Sequence, residues 1–345
     1  MMHSNLDLQR KNFIQMIKSM RKVFEPQEVD LQMVEIYRDF IPEKIFDAHM
    51  HLCITETAPV ICEAKRPTTV EDYMTDMMPY LPGVKEIRLN ILPMPSHVLS
   101  NLENGLRDQA NEHIFEQQRR HPECVVMPYV LPYDSEETIY ALANQPGVKG
   151  FKCYYYGANA QISEKVAIGD FVPEIVWMIA NEKKLVIELH IMRPEALSDS
   201  ENFAYIMQKT KQYPNAQLVL AHCARAFAAW TCIDSVKRLD DQGNIWFDMS
   251  AVCESGPMMA CILKNAGKRT MWGSDYPICM NRGRAISLGI GQEWLVGEQF
   301  EKLNRAYVAT ENLMAFWQAS RLLELDKSQI SDLFYNNAVR LFGKD

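Results

Sequence analysis

No run of about 18 consecutive apolar residues occurs anywhere in the 345-residue chain, so a membrane-spanning helix is not expected. No C-x-x-C pair occurs among the nine cysteines (Cys53, Cys62, Cys124, Cys153, Cys223, Cys232, Cys253, Cys261 and Cys279). An odd number of singly spaced thiols argues for reduced, mostly buried side chains and against a disulfide framework. No run of five or more basic residues offsets the formal net charge of -8, which opposes binding to nucleic acid and leaves a small molecule as the expected partner. The segment Met1-Met2-His3-Ser4-Asn5-Leu6-Asp7 lacks a charged region followed by an apolar core, so a cytoplasmic protein is expected. Repeats, low-complexity tracts, Gly/Ser linkers and Gly-rich phosphate loops are missing too. One large α/β domain accounts for a chain of this length that is 48% hydrophobic, and a homo-oligomer is left open.

Against these absences stand four histidines and one aspartate at the ends of short apolar runs: Asp47-Ala48-His49-Met50-His51, Glu188-Leu189-His190, Leu220-Ala221-His222 and Trp272-Gly273-Ser274-Asp275. On a strand, residues i and i+2 share one face within roughly 7 Å of each other, so His49 and His51 converge there, whereas on a helix they diverge. Imidazoles joined by a carboxylate bind zinc and its neighbours and leave a position open for water. The set reads as a catalytic metal site.

β-rich runs near 45–51, 84–92, 124–131, 148–153, 185–190, 217–222, 244–248 and 270–275 alternate with helical segments such as 104–120 and 172–181. Eight strand-helix repeats in one chain predict an α/β fold, a closed (β/α)8 TIM barrel. His51, Lys152, His190, His222 and Asp275 all fall at the C-terminal ends of their strands, the face on which such barrels carry active sites. Residues 1–43 read as an N-terminal extension of two helices, one through Phe13, Ile14, Met16, Ile17, Met20 and Val23 and one through Leu31, Val34, Ile36 and Tyr37. Residues 44–345 read as the barrel, closed by C-terminal helices that stop at Gly343.

The ordered set Asp47-x-His49-x-His51, His190, His222 and Trp272-Gly273-Ser274-Asp275-Tyr276-Pro277, with the closing run from Tyr335 to Gly343, resembles the amidohydrolase-related (amidohydrolase 2) family of the metal-dependent amidohydrolase superfamily. The resemblance spans residues 45–345. It implies that His49, His51, His190 and Asp275 hold a divalent metal, most often zinc, and that His222 transfers protons or binds a second metal. That branch contains hydrolases, lactonases, hydratases and non-oxidative decarboxylases, so the motif names the apparatus more firmly than the reaction.

Asp47 lies deeper than the histidines, where a carboxylate is costly unless paired, and is expected to orient a ligand. Lys152 has three readings: binding a substrate carboxylate, which is preferred, a structural ion pair, or a carboxylated bridge between two metals. Arg193, Arg225, Arg282 and Arg284 follow His190, His222 and Asp275 closely in an acidic protein. Local positive charge suggests an anionic, carboxylate-bearing substrate bound by Arg193, Arg225 or Arg282. The expected reaction is hydrolysis of an amide, ester or lactone, with Asp275 as the proton acceptor and His222 as oxyanion stabiliser or proton donor. Decarboxylation or hydration at the same metal is the alternative.

Overall fold

The computed structural model describes residues 21–158, 165–240 and 243–343. Eight parallel strands form its centre: β1 (Lys44–Leu52), β2 (Glu86–Pro93), β3 (Val125–Val126), β4 (Gly150–Cys153), β5 (Val186–Leu189), β6 (Gln217–Leu220), β7 (Ile245–Asp248) and β8 (Thr270–Met271). They pair in the orders β1-β2-β3 and β4-β5-β6-β7-β8. Backbone hydrogen bonds join the two ladders at both seams. Val126 N–H donates to Gly147 O (3.0 Å) and Lys152 N–H to Pro128 O (2.9 Å), while Ala48 N–H donates to Trp272 O (3.1 Å) and Asp275 N–H to His49 O (2.8 Å). The sheet is therefore closed on itself, and the fold is the expected (β/α)8 barrel.

Helices alternate with the strands. α1 (Glu28–Tyr37) precedes β1; α2 (Val70–Met77), α3 (Leu106–Arg120), α4 (Glu136–Ala143), α5 (Glu174–Lys183), α6 (Ser200–Gln212), α7 (Trp230–Arg238) and α8 (Ser255–Lys264) fill the seven crossovers; and α9 (Val308–Leu322) follows β8. No helix among the described residues is long and apolar enough to cross a membrane. The N-terminal helix predicted from Phe13 falls largely outside the described residues. The second is α1, anchored by its fully buried Asp30, which accepts from Tyr307 N–H (2.8 Å) and pairs with Arg282 (2.9 Å).

Two predicted strands are shorter than expected. The run 124–131 forms a continuous strand only at Val125–Val126, with an isolated bridge from Tyr129 to Lys152 beyond it, because Pro128 has no N–H to donate and Tyr129 N–H turns to the Asn111 side chain (2.8 Å). β8 stops at Met271, and the chain beyond it follows β1 through the seam bonds. There Gly273 is required, since a Cβ would stand 2.9 Å from His49 Cβ. One element was not expected: an antiparallel hairpin of β9 (Ala285–Leu288) and β10 (Gly291–Trp294).

The barrel floor is apolar. Phe46, Val125, Val186, Val219, Trp246 and Met271 form one buried layer, closed from below by Ala338, Val339 and Phe342 of the last helix, α11 (Asn337–Phe342), which follows α10 (Lys327–Ser331). Polar groups stacked above this layer meet little water, so each needs a partner.

Candidate metal centre

The first pair of histidines owes its direction to an irregularity in β1. Asp47 pairs with Leu89 and Met50 with Ile91, so β1 spends one residue more than β2 between these points. Because side chains alternate, the extra residue reverses parity. Phe46 below the bulge and His49 and His51 above it face the lumen, while Asp47 and Met50 face the surrounding helices. Asp47 accepts from Tyr73 O–H of α2 (2.8 Å), His49 N–H (3.1 Å) and Ser274 N–H (2.9 Å). It ties β1 to the start of the Asp275 loop, and burial, opposed by these bonds, raises its pKa to about 6.

The hydrogen-bond partners of three rings fix their tautomers. His49 Nδ1 lies 3.1 Å from Asp248 Oδ2, His51 Nδ1 3.0 Å from Pro93 O, and His222 Nδ1 3.0 Å from Ser250 O. A carboxylate and two carbonyls can only accept, so each Nδ1 carries the hydrogen and each Nε2 carries a lone pair. Burial lowers the pKa of all three and so favours these neutral forms. Yet His49 Nε2 and His51 Nε2 are only 3.1 Å apart, and Asp275 Oδ1 is 3.4 Å from His51 Nε2 and 3.8 Å from His49 Nε2. Two lone pairs and a carboxylate oxygen converging in a buried place call for a cation between them.

His49, His51 and Asp275 thus form a divalent-metal site by both position and chemistry. His49, His222 and Asp248 also cluster within 4.8 Å, but both Asp248 oxygens are already engaged. Oδ2 faces His49, and Oδ1 accepts from Ser250 N–H (2.9 Å), His222 N–H (3.3 Å) and the Ser250 hydroxyl. Asp248 therefore orients the His49 ring directly and holds the His222 backbone and Ser250, which in turn meets the His222 ring. Burial opposes its charge, but His49, His222 and Ser250 together hold its carboxyl below the usual range. Asp248→Asn should weaken metal binding about 10- to 100-fold at unchanged fold. The amide oxygen would keep the crowded Oδ1 position, and the NH2 would meet His49 Nδ1 and force the tautomer that blocks Nε2. Metal titration of the variant checks this.

His222 opens a left-handed turn in which His222, Cys223, Ala224 and Arg225 have φ of 57°, 52°, 61° and 59°. Such a run of non-glycine residues is costly. It carries His222 and Arg225 to the same cavity, and Ala226 N–H to His222 O (2.8 Å) closes it.

That cavity, about 300 Å³, has His49, His51, His222 and Asp275 among its lining residues. Tyr154, Tyr155 and Tyr156, Phe227, and Gln292 and Trp294 of the unexpected hairpin complete much of its wall. His190 lines it as well, with its buried Nδ1 unpartnered, but belongs to neither ligand cluster. Lys152 is fully buried at its floor, with Nζ 3.2 Å from His49 Nε2. Burial pulls its pKa down against the pull of Glu188, Asp248 and Asp275.

Of the arginines expected to meet substrate, only Arg225 lines the cavity. Arg193 is instead an anchor, paired with Asp199 (2.9 Å) and Glu201 (2.5 Å). Arg282 is another, paired with Asp30 (2.9 Å) and stacked 3.7 Å from the Tyr307 ring centroid, and Arg284 pairs with Glu311 (3.1 Å). Long guanidinium side chains took the nearest carboxylate rather than the cavity. His97 stacks on Tyr156 outside the cavity lining.

Sequence reasoning missed Asp248 and Glu188. Glu188 is fully buried on β5 beside Lys152 of β4, 3.5 Å from His49 Nδ1, and burial followed by the charge of Asp248 raises its pKa well above the ordinary value. An acid inside an otherwise apolar strand was the available signal for both.

Solved structures of the same fold cover most of the chain. 2,6-Dihydroxybenzoate decarboxylase, complexed with 2,6-dihydroxybenzoate, is 12% identical over 87% of this chain and 99% of its own (TM-score 0.56). 5-Carboxyvanillate decarboxylase from Novosphingobium aromaticivorans, complexed with manganese and 4-hydroxy-3-methoxy-5-nitrobenzoic acid, is 14% identical over 86% of this chain and 95% of its own (TM-score 0.55). A putative 2-pyrone-4,6-dicarboxylic acid hydrolase from Pseudomonas putida is 14% identical over 88% of this chain and 98% of its own (TM-score 0.55). No curated protein matches by sequence. Residues 46–344 match the amidohydrolase profile (Amidohydro_2), a span that takes in every donor described above, and the chain belongs to that amidohydrolase family.

Proposed function

We propose that the protein is a metal-dependent hydrolase that opens a C–N or C–O bond, in an amide, ester or lactone, of a small carboxylate-bearing substrate. The observation that carries this reading is the His222 tautomer: with its hydrogen on Nδ1 against Ser250 O, its inward Nε2 is a proton acceptor at the cavity, outside the His49, His51 and Asp275 set. Hydrolysis needs an acceptor for the proton of an attacking water, whereas decarboxylation has no attacking water and needs a donor to the carbon that loses carbon dioxide.

A divalent cation, for which zinc suits two imidazoles and a carboxylate, supplies Lewis-acid polarisation of the scissile carbonyl and a more acidic water. His49, His51 and Asp275 would hold it, with His190 brought in from β5. Asp275 reaches the cavity with a carboxylate that takes the proton of the attacking water and returns it to the leaving group. His222 Nε2 offers a second acceptor beside it. Arg225 fixes the substrate carboxylate, Lys152 adds positive charge from the floor, and the tyrosines with Phe227 and Trp294 exclude water from the flanks.

The test is a panel of carboxylated lactones, esters and amides incubated with metal-loaded protein in H2¹⁸O. Hydrolysis with label in the product acid, and no release of carbon dioxide, is the expected result. Carbon dioxide release without label overturns it in favour of decarboxylation. In the same panel Arg225→Met should raise KM for acids by roughly 10-fold or more, the loss of a desolvated charge-assisted pair, and leave neutral analogues unaffected. Arg193→Met and Arg282→Met should show no such discrimination.

A further inference from the structure

The loop that delivers Asp275 is backbone-strained. Asp275 itself has φ 60°, a left-handed conformation that surrounding contacts must impose. Backbone bonds from His51 N–H to Tyr276 O (2.7 Å) and from Cys279 N–H to Asp275 O (3.1 Å) hold the loop, and three successive residues add further bonds. Asp275 N–H is bound to His49 O (2.8 Å), the preceding Ser274 N–H is bound to Asp47 (2.9 Å), and the following Tyr276 donates its N–H to Ser274 Oγ (3.0 Å) and its hydroxyl to Asp76 Oδ2 (2.8 Å). The last hold leads away from the barrel.

Asp76 lies one helical turn beyond Asp72 on α2, and both are buried. Two carboxylates at this i, i+4 spacing repel, and their charge is matched by a residue from outside the barrel. Arg21, only 3% exposed, sets Nη1 2.8 Å from Asp76 Oδ2 and Nε 2.9 Å from Asp72 Oδ1. The same Asp76 oxygen therefore receives the Arg21 guanidinium and the Tyr276 hydroxyl. Asp72 has a second partner, Arg66 (2.6 Å). For Asp76, Arg21 is the only ion-pair partner seen among the described residues. The Tyr276 ring is buried edge-on to Tyr73 (5.3 Å between centroids), so its hydroxyl has little freedom to find another acceptor.

We propose that Arg21 is a positioning residue for the metal centre: acting through Asp76 and the Tyr276 hydroxyl, it holds the Asp275 loop in its strained, ligand-presenting form. The N-terminal extension thereby completes a site to which its described residues contribute no lining side chain. The inference rests on the reading of Asp275 as ligand and base, and its test is chosen to stand apart from the reaction.

Metal affinity is measured by titrating chelator-stripped protein with zinc and with manganese, which needs no substrate. Arg21→Met should bind metal about tenfold more weakly, in the range typical of losing a supporting contact, and low-millimolar guanidinium chloride should restore most of the affinity. Arg66→Met removes an arginine from the same acidic pair but leaves Asp76 and Tyr276 joined, and should bind as wild type. Tyr276→Phe keeps the ring and loses only the hydroxyl, so it reports on the link even if Arg21→Met does not fold; it should weaken binding several-fold. Where turnover is measurable, Arg21→Met should lower kcat with KM for acids nearly unchanged, because Arg225 is untouched. Wild-type metal affinity in Tyr276→Phe, equal losses in Arg21→Met and Arg66→Met, or a loss that guanidinium does not relieve each overturns the proposal. Wild-type affinity in Asp275→Asn removes the reading of Asp275 and this inference together, whereas an inactive panel with the affinities as expected removes only the reaction.

Discussion

His49→Ala should leave the purified protein with little bound metal and no measurable turnover, while the wild type retains about one equivalent of a divalent ion through gel filtration. His49 is the common member of both donor clusters, and its loss has two effects. It removes one of the two facing Nε2 lone pairs, which are 3.1 Å apart, and it strips Asp248 Oδ2 of its ring partner. The orphaned buried carboxylate adds a stability cost of about 1–3 kcal/mol, so folding must be checked by circular dichroism before metal content is compared. His51→Ala should lose metal similarly with a smaller stability cost, because its Nδ1 partner is a backbone carbonyl. His113→Ala is the control, since its Nε2 bonds Thr68 O (2.7 Å) on the helical layer. Equal metal in His49→Ala and wild type, by elemental analysis of protein not exposed to chelator, refutes the site. Chelation of the wild type should abolish activity, and readdition of zinc or manganese should restore it.

The parts of this centre that were legible in the sequence are those in which one residue's chemistry and its place in a strand suffice. Histidines and an aspartate closing four apolar runs are costly to bury without a common purpose, so their order along the barrel could be read directly. The bulge in β1 could not. Nothing in Asp47-Ala48-His49-Met50 marks an extra residue, yet it sends Asp47 toward Tyr73 and turns His49 inward. Strict alternation would have put Asp47, His49 and His51 on one face.

Asp248 and Glu188 were hidden for a different reason. Each is a single acid in an apolar strand, and its partners lie on other strands that meet only when the barrel closes. The arginines failed in the opposite direction. Their sequence distance from the ligands was right for a binding loop, but Asp30, Asp199, Glu201 and Glu311 claimed three of the four. An acid more than 250 positions from Arg282 is not a neighbour that local reading can supply. The β9–β10 hairpin follows the eighth strand, where strand-helix alternation predicts none, although Leu288-Gly289-Ile290 carries a turn signal with Gly289 at φ 61°. Missing it meant missing Gln292 and Trp294 in the cavity wall.

Asp275→Asn should reduce kcat by a factor on the order of 10² or more with KM little changed, because it removes a proton acceptor used only as the transition state forms. Asparagine is the appropriate replacement on backbone grounds. Asp275 sits at φ 60°, and asparagine tolerates that region as aspartate does, whereas alanine would add strain to the loss of the base. The amide oxygen keeps a weaker ligand 3.4–3.8 Å from the two Nε2 atoms, so residual metal can be loaded at high concentration and kcat read at full occupancy. This separates the two duties of the carboxylate: weaker affinity reports the ligand, and lost turnover at saturation reports the base. His222 is the other inward proton acceptor at the cavity. If Asp275→Asn turns over at the wild-type rate when saturated with metal, proton transfer belongs to His222. In that case His222→Asn should show the collapse instead, and Asp275 keeps only the task of holding the ion.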